Sequence, residues 1–198
     1  ATQRSHTRDA LASLLWVDAD QQRTKKNLRD ILPNLRERFG EYLLITRDSI
    51  TFNAALPYWS DLERFQTPLQ PITPSIEDIH TAVGLYCGEF LEGFHVRGAP
   101  NFEEWMLLER ERLHETYVQG LHTLADHHIE QQDHFAALVI TQRLLAIEPW
   151  QEKAHRQQMI SLAGSGRLNE ALAQYATCRR VLADELGLAP MTETTALY

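Results

Sequence analysis

The side chains in this sequence with the potential to do chemistry are nine histidines, two cysteines, an acidic run and a basic run. Metal binding needs ligands spaced so that they converge on one point. His127 and His128 are adjacent, so on a helix they point about 100° apart and do not share an ion. No His-Glu-x-x-His is present, and neither Cys87 nor Cys178 sits beside a histidine pair. Glu103, Glu104, Glu109 and Glu111 suggest paired carboxylates for acid–base work. They are interleaved with Arg110 and Arg112, which reads as a solvated, ion-paired helix face. Gly164-Ser165-Gly166 lacks the Gly-Lys-Ser/Thr ending of a phosphate loop and reads as a turn between helices. No nucleophile, base and orienting group stand together. The expectation is a protein that catalyses nothing and holds no metal or cofactor.

The basic run has a different character. Between Gln21 and Phe39 lie Arg23, Lys25, Lys26, Arg29, Arg36 and Arg38, against Asp30 and Glu37. The net charge is −8, but it is unevenly spread. Residues 1–54 carry nine Lys/Arg and seven Asp/Glu, whereas residues 55–198 carry ten and twenty. A local basic patch on an acidic chain suits an anionic partner. Lys and Arg neutralise phosphates, and Asn side chains can read base edges.

The elements that position these residues follow from hydrophobic spacing. Thr7-Arg8-Asp9 caps a short helix through Ala10, Leu11, Leu14 and Leu15. Asp18 or Asp20 caps a second helix, Gln21–Phe39, whose apolar stripe is Leu28, Ile31/Leu32, Leu35 and Phe39. Its basic residues are expected on the opposite face, and Gly40 ends it. Residues 42–46 and 50–53 read as a hairpin around Arg47-Asp48-Ser49. Residues 55–74 hold Pro57, Pro68, Pro71 and Pro74 with one short helix near Asp61–Gln66, a connector. Helices are then expected over 75–87, 102–130, 134–147, 151–163 and 168–186. Ala125, Ala137 and Pro149 recur every 12 residues, and Ala137 and Ala171 lie 34 apart. A 34-residue period of paired helices is the tetratricopeptide signature, in which small residues let the pair approach. The second pair departs from it at Met159 and Ala183.

Several segments resemble one family. Trp16, Asn27-Leu28-Arg29 and Asn34-Leu35-Arg36-Glu37-Arg38-Phe39-Gly40 are similar to effector domains of response-regulator type, above all those of Streptomyces antibiotic regulatory proteins. Leu85-Tyr86-Cys87-Gly88-Glu89-Phe90-Leu91, Trp105 with Glu109-Arg110-Glu111-Arg112-Leu113, and Glu148-Pro149-Trp150-Gln151-Glu152 continue the likeness. Gly166-Arg167 with Glu170-Ala171-Leu172 and Tyr175, then Glu185-Leu186-Gly187-Leu188-Ala189-Pro190, complete it. Over roughly residues 58–198 the chain resembles the bacterial transcriptional activator domain.

The resemblance implies a mainly α fold. A partial winged helix of two helices plus a β-hairpin (1–54) leads through the connector (55–74) into a tetratricopeptide-like α-helical repeat array (75–198). It implies a DNA-binding transcriptional activator fragment whose array is a regulatory or oligomerisation module. DNA would be bound through the complete winged helix of the parent protein, whose first strands and helix would precede this chain. The candidate DNA contacts are Lys25, Lys26, Asn27, Asn34 and Arg36. Asp30 and Pro33 stand at positions that resemble DNA-facing ones. The aspartate repels phosphate, and an interior proline costs a helix roughly 3 kcal/mol. A protein partner or self-association is expected at the array, with Gln119, His122, Arg156 and Gln157 as candidate contacts on a concave polar face. Trp105 and Trp150 are expected to anchor the core, the alternative being exposed interface residues, where tryptophan is enriched. The alternative is a helical-repeat interaction scaffold of a signalling protein with a winged-helix remnant that does not bind DNA. No apolar run reaches 18 residues and the first nine residues are polar, so neither membrane partner nor signal peptide is expected. Two distant cysteines fit a cytoplasmic location.

Overall fold

The computed structural model describes residues 4–16, 20–70 and 74–198. The candidate cap Asp18 and the connector's Pro71 lie outside the described residues. The fold is mainly α: a small three-stranded sheet with two helices, then a helical array. The chain forms two compact units, Ala1–Gln66 with Cys87–Leu113, and Thr67–Tyr86 with His114–Tyr198. In this partition residues 87–113 fall with the N-terminal residues.

In the first unit, β1 (His6–Thr7) runs into α1 (Arg8–Leu15), whose first turn is capped when Thr7 Oγ1 accepts from the Ala10 amide at 3.2 Å. Asp20 does the same for α2 (Gln21–Phe39), accepting from the Gln22 amide at 3.3 Å. The helix stops at Gly40, whose φ of 51° and ψ of −127° suit a residue without Cβ. The hairpin strands are β2 (Leu43–Ile45) and β3 (Ser49–Phe52), paired antiparallel as Leu43↔Phe52 and Ile45↔Ile50. β1 adds a third strand through His6↔Ile50, giving the order β1-β3-β2. Two residues are too few to show an alternation, so the sequence carries no signal for β1. Ala12, Leu28, Leu32 and Ile50 form the core, with Trp16, Leu35, Leu43 and Ile45 packed against it. The expected stripe of α2 is corrected at its edges: Ile31 and Phe39 are exposed, and Thr24 is buried instead.

A short helix α3 (Asp61–Gln66) follows the hairpin. The loop 87–99 is held by the start of the long helix α5 (Pro100–Glu130), which follows α4 (Ile76–Leu85) in the chain. Arg110 donates from Nε to the Phe90 carbonyl (2.7 Å) and from Nη2 to the Leu91 carbonyl (2.8 Å), and pairs with Glu89 at 3.4 Å. Trp105 packs edge-on to Phe90 and against Phe102, but 38% of it remains exposed, which corrects its placement as a core anchor.

In the second unit, α4 is capped by Ser75 and packs on α5 at Gly120, where an added Cβ would lie 3.0 Å from Val83 Cγ2. The array continues as α6 (His134–Ile147), α7 (Glu152–Gly164), α8 (Leu168–Leu186) and α9 (Thr192–Leu197). α7 packs on both α6 and α8. Ala125, Ala137 and Ala154 are sealed from solvent, as close helix approach requires. Met159 is also buried, so the departure from the repeat is absorbed inside. α8 ends at Gly187 in the left-handed region, with Leu188 N–H donating to the Leu182 carbonyl at 3.1 Å.

Candidate nucleic-acid interface and the polar seam of the array

The candidate DNA residues all lie on α2, and helical spacing decides where each points. The inward seam is Thr24, Leu28, Leu32 and the half-buried Leu35. Opposite it, at i, i+4, i+7, i+11, runs a crest of Lys26, Asp30, Pro33 and Glu37, all exposed. Lys25, Arg29 and Arg36 form one flank of this crest. Arg23, Asn27, Asn34 and Arg38 form the other, with Asn27 half-buried. The expectation that the basic residues lie opposite the apolar stripe is therefore corrected in part: of the cations only Lys26 is on the crest, beside two acids, and the others line its sides. Lys25 Nζ pairs with Asp9 Oδ2 of α1 at 3.0 Å, both side chains more than half exposed. Such a pair contributes little to stability. The hairpin is tied to α1 from its turn: the Arg8 amide donates to the Asp48 carbonyl at 2.9 Å, and the Arg8 guanidinium donates to the Thr46 carbonyl.

The candidate partner residues of the array do not share a surface. Gln119 is exposed. His122 and Gln157 are buried at 4% and 3% exposure, which corrects their placement on an open concave face. They join α5 to α7. His122 Nδ1 donates to Gln157 Oε1 at 2.7 Å, and Gln157 Nε2 donates to the His122 carbonyl at 3.0 Å. Gln157 Nε2 also donates to Asp126, which pairs with Lys153 at 3.0 Å. Burial pushes the His122 pKa below its usual 6.5, against the Gln157 hydrogen bond that raises it. Arg156 is committed elsewhere, donating from Nη1 to Thr194 Oγ1 of α9 at 2.9 Å. Thr194 is wholly buried and donates to Glu152 Oε2 at 2.6 Å; Glu152 also accepts from the Met191 amide.

A second inward histidine, His155, has no spacing in the sequence that sets it apart. It donates from Nε2 to the Pro149 carbonyl at 2.8 Å and accepts at Nδ1 from Gln174 Nε2 at 2.6 Å. Burial lowers its pKa as well. The motif from Glu148 to Glu152 is thus a junction. Glu148 meets His114 at 3.0 Å, Pro149 anchors His155, and Glu152 holds α9. Its Trp150 is 43% exposed and is not a core anchor; the polar residues around it do the joining. Among the described residues no cluster of three metal-ligating side chains occurs, and no helix is long and apolar enough to cross a membrane.

A capped, basic helix feeding a hairpin is followed along the chain by an array of paired helices. Residues 68–198 match the family model of the bacterial transcriptional activator domain, and the chain belongs to that family. It is 38% identical over 112 residues to regulatory protein AfsR of Streptomyces coelicolor, covering 57% of this chain and 11% of AfsR. Against regulatory protein AfsR of Streptomyces griseus it is 36% identical over 119 residues, covering 60% and 12%. The chain therefore spans about a ninth of the curated relatives it matches. Its fold is similar to that of Mycobacterium tuberculosis EmbR in a complex with a low-affinity phosphopeptide. The TM-score is 0.74 at 21% identity, over 98% of this chain and 54% of EmbR.

Proposed function

We propose that this chain is a segment of a cytoplasmic, sequence-specific DNA-binding transcriptional activator. In this reading α2 reads the major groove, the β2–β3 hairpin is its wing, and the helical array is a regulatory or self-association module. The observation that carries the reading is the exposed, cation-flanked α2 running directly into the hairpin, on a chain of the activator family. Lys25, Lys26 and Arg36 contact phosphate and Asn27 and Asn34 face bases. EmbR's phosphopeptide is not carried over, because this chain corresponds to only part of EmbR. What supports a protein partner here is the exposed surface of the array.

The test is the salt dependence of binding to duplex DNA from upstream of the parent gene, measured by fluorescence anisotropy on the parent regulator. Affinity should fall steeply as salt rises, because each neutralised phosphate releases counterions. Lys26→Ala with Arg36→Ala should lower the logarithmic slope by about one for each phosphate that is no longer neutralised. An unchanged slope removes these two residues from the reading.

One observation favours a second reading. Asp30 and Glu37 stand on the crest of α2, and Lys25 is paired with Asp9. A helical-repeat interaction scaffold whose winged-helix part only packs would tolerate both. That reading expects no DNA binding at any salt while self-association or partner binding persists.

A further inference from the structure

The outer face of the first half of α5 is not built like a solvated helix face. Met106 and Leu113 mark the buried line of this stretch. On the opposite line, by helical spacing, stand Glu104, Leu107, Leu108 and Glu111, all exposed. Leu107 is 59% and Leu108 66% exposed, and the two lie side by side between the glutamates. Trp105 borders Leu108 one turn away and is itself partly exposed, with Phe90 and Phe102 packed against it. A helix face that meets only water is normally polar. Single exposed apolar side chains are ordinary, but adjoining ones rimmed by charge mark an interaction surface.

Charge sets the chemistry of the occupant. The cations interleaved with this run are already committed. Arg110 is held by Glu89 and by the carbonyls of Phe90 and Leu91, and Arg112 pairs with Glu109 at 2.8 Å. Among the described residues neither Glu104 nor Glu111 pairs with a cation. The face is therefore apolar in the middle, with an uncompensated carboxylate at each end. Negative charge repels nucleic acid and favours a cationic partner. The surface is also the convex ridge of a single helix, so it offers neither a strand edge nor a trough to an extended chain. Another helix covers such a ridge by laying its grooves over it. Lys or Arg flanking the apolar stripe of that helix would meet Glu104 and Glu111.

We propose that this face of α5 docks a cationic amphipathic helix of a partner protein, with the aliphatic stripe of that helix on Trp105, Leu107 and Leu108 and its Lys or Arg side chains on Glu104 and Glu111. The surface is independent of the DNA-binding reading, which rests on α2.

The test is a titration of the 198-residue chain, followed by amide chemical shifts, with a helical peptide built of Lys-Leu-Ala-Ala-Leu-Lys-Ala heptads. The expected result is saturable shifts confined to α5 around Glu104–Glu111. A peptide of the same composition, with its leucines dispersed around the helix, should bind at least about tenfold more weakly. That comparison separates docking from simple attraction to a chain of net charge −8. Leu107→Ser with Leu108→Ser should weaken binding by about tenfold and leave the melting temperature unchanged, because both leucines are exposed. Glu104→Gln with Glu111→Gln should weaken binding at low salt and flatten its salt dependence. If the serine variant fails to fold, the glutamine variant and the dispersed peptide decide. No saturable shift, shifts spread over other acidic surface, or equal binding by the dispersed peptide overturns the proposal. Self-association of the chain alone that either pair of substitutions abolishes also overturns it, because the face then belongs to a second copy.

Discussion

His122 and His155 are the residues whose protonation the fold most resists. Each is buried and hydrogen-bonded as a neutral ring, so its pKa is lowered from 6.5. The unfolded chain therefore takes up more protons than the folded one as pH falls below about 6.5. Stability is fully present above that pH and is lost on acidification towards the folded-state pKa values. The melting temperature should drop between about pH 7.5 and 5.5, and His122→Gln should flatten that dependence. A melting temperature level across the window would show that neither ring resists protonation. Cys178 is pushed up to about 11 by burial, which makes it an inert thiol in the core. At the turn between α7 and α8, Gly164 faces His134: an added Cβ would meet the imidazole Nε2 head-on. Gly164→Ala should displace the half-buried His134 ring and cost at most about 1 kcal/mol. In a His134→Ala background the same change should be neutral or stabilising, because alanine favours the helix. Equal losses in both backgrounds, read by urea denaturation, would place the strain elsewhere.

Among the elements, α2 stands out because it keeps a proline in its interior. Pro33 has no amide hydrogen to donate to the Arg29 carbonyl, yet the helix runs unbroken from Gln21 to Phe39. Its ring is exposed and fills no core space. Pro33→Ala should raise the stability of the first unit by up to about 3 kcal/mol. A loss of stability would mean that the proline's shape is needed. The loop 87–99 shows how two family motifs can be one device. Arg110, from the segment at Trp105–Leu113, fixes the carbonyls of Phe90 and Leu91 in the segment at 85–91. Leu91 is held there at a φ of 53°, a region that leucine avoids. The clamp joins the two segments in this chain without assigning either a ligand.

At the scale of the whole molecule, charge opposes the DNA-binding reading of this chain taken alone. The front is mildly basic, and the remaining residues carry twice as many acids as bases. The 198-residue chain should bind duplex DNA no better than a non-specific binder, with a Kd of roughly 10⁻⁴–10⁻⁶ M at physiological salt. Tight, sequence-selective binding in an anisotropy titration would refute that. The mainly α class, the span of α2, the hairpin and the 34-residue period are legible in the sequence, as are capping residues before both helices, with Asp18 and Asp20 left as alternatives for the second. Each of these rests on local chemistry: a cap, a glycine stop, a spacing of apolar side chains. Which polar residues face inward depends on helices distant in the chain. Gln157 and His122 look like surface residues from their type, and only a neighbouring helix can satisfy them when buried. The same holds for Thr194, Glu152 and Arg156, which are joined across the length of two helices, and for β1, which becomes a strand only when β3 lies beside it. The tryptophans differ in the opposite direction. Trp105 and Trp150 look like anchors from their size, but burial depends on what packs over them, and long-range packing is the part of a fold that local spacing does not encode.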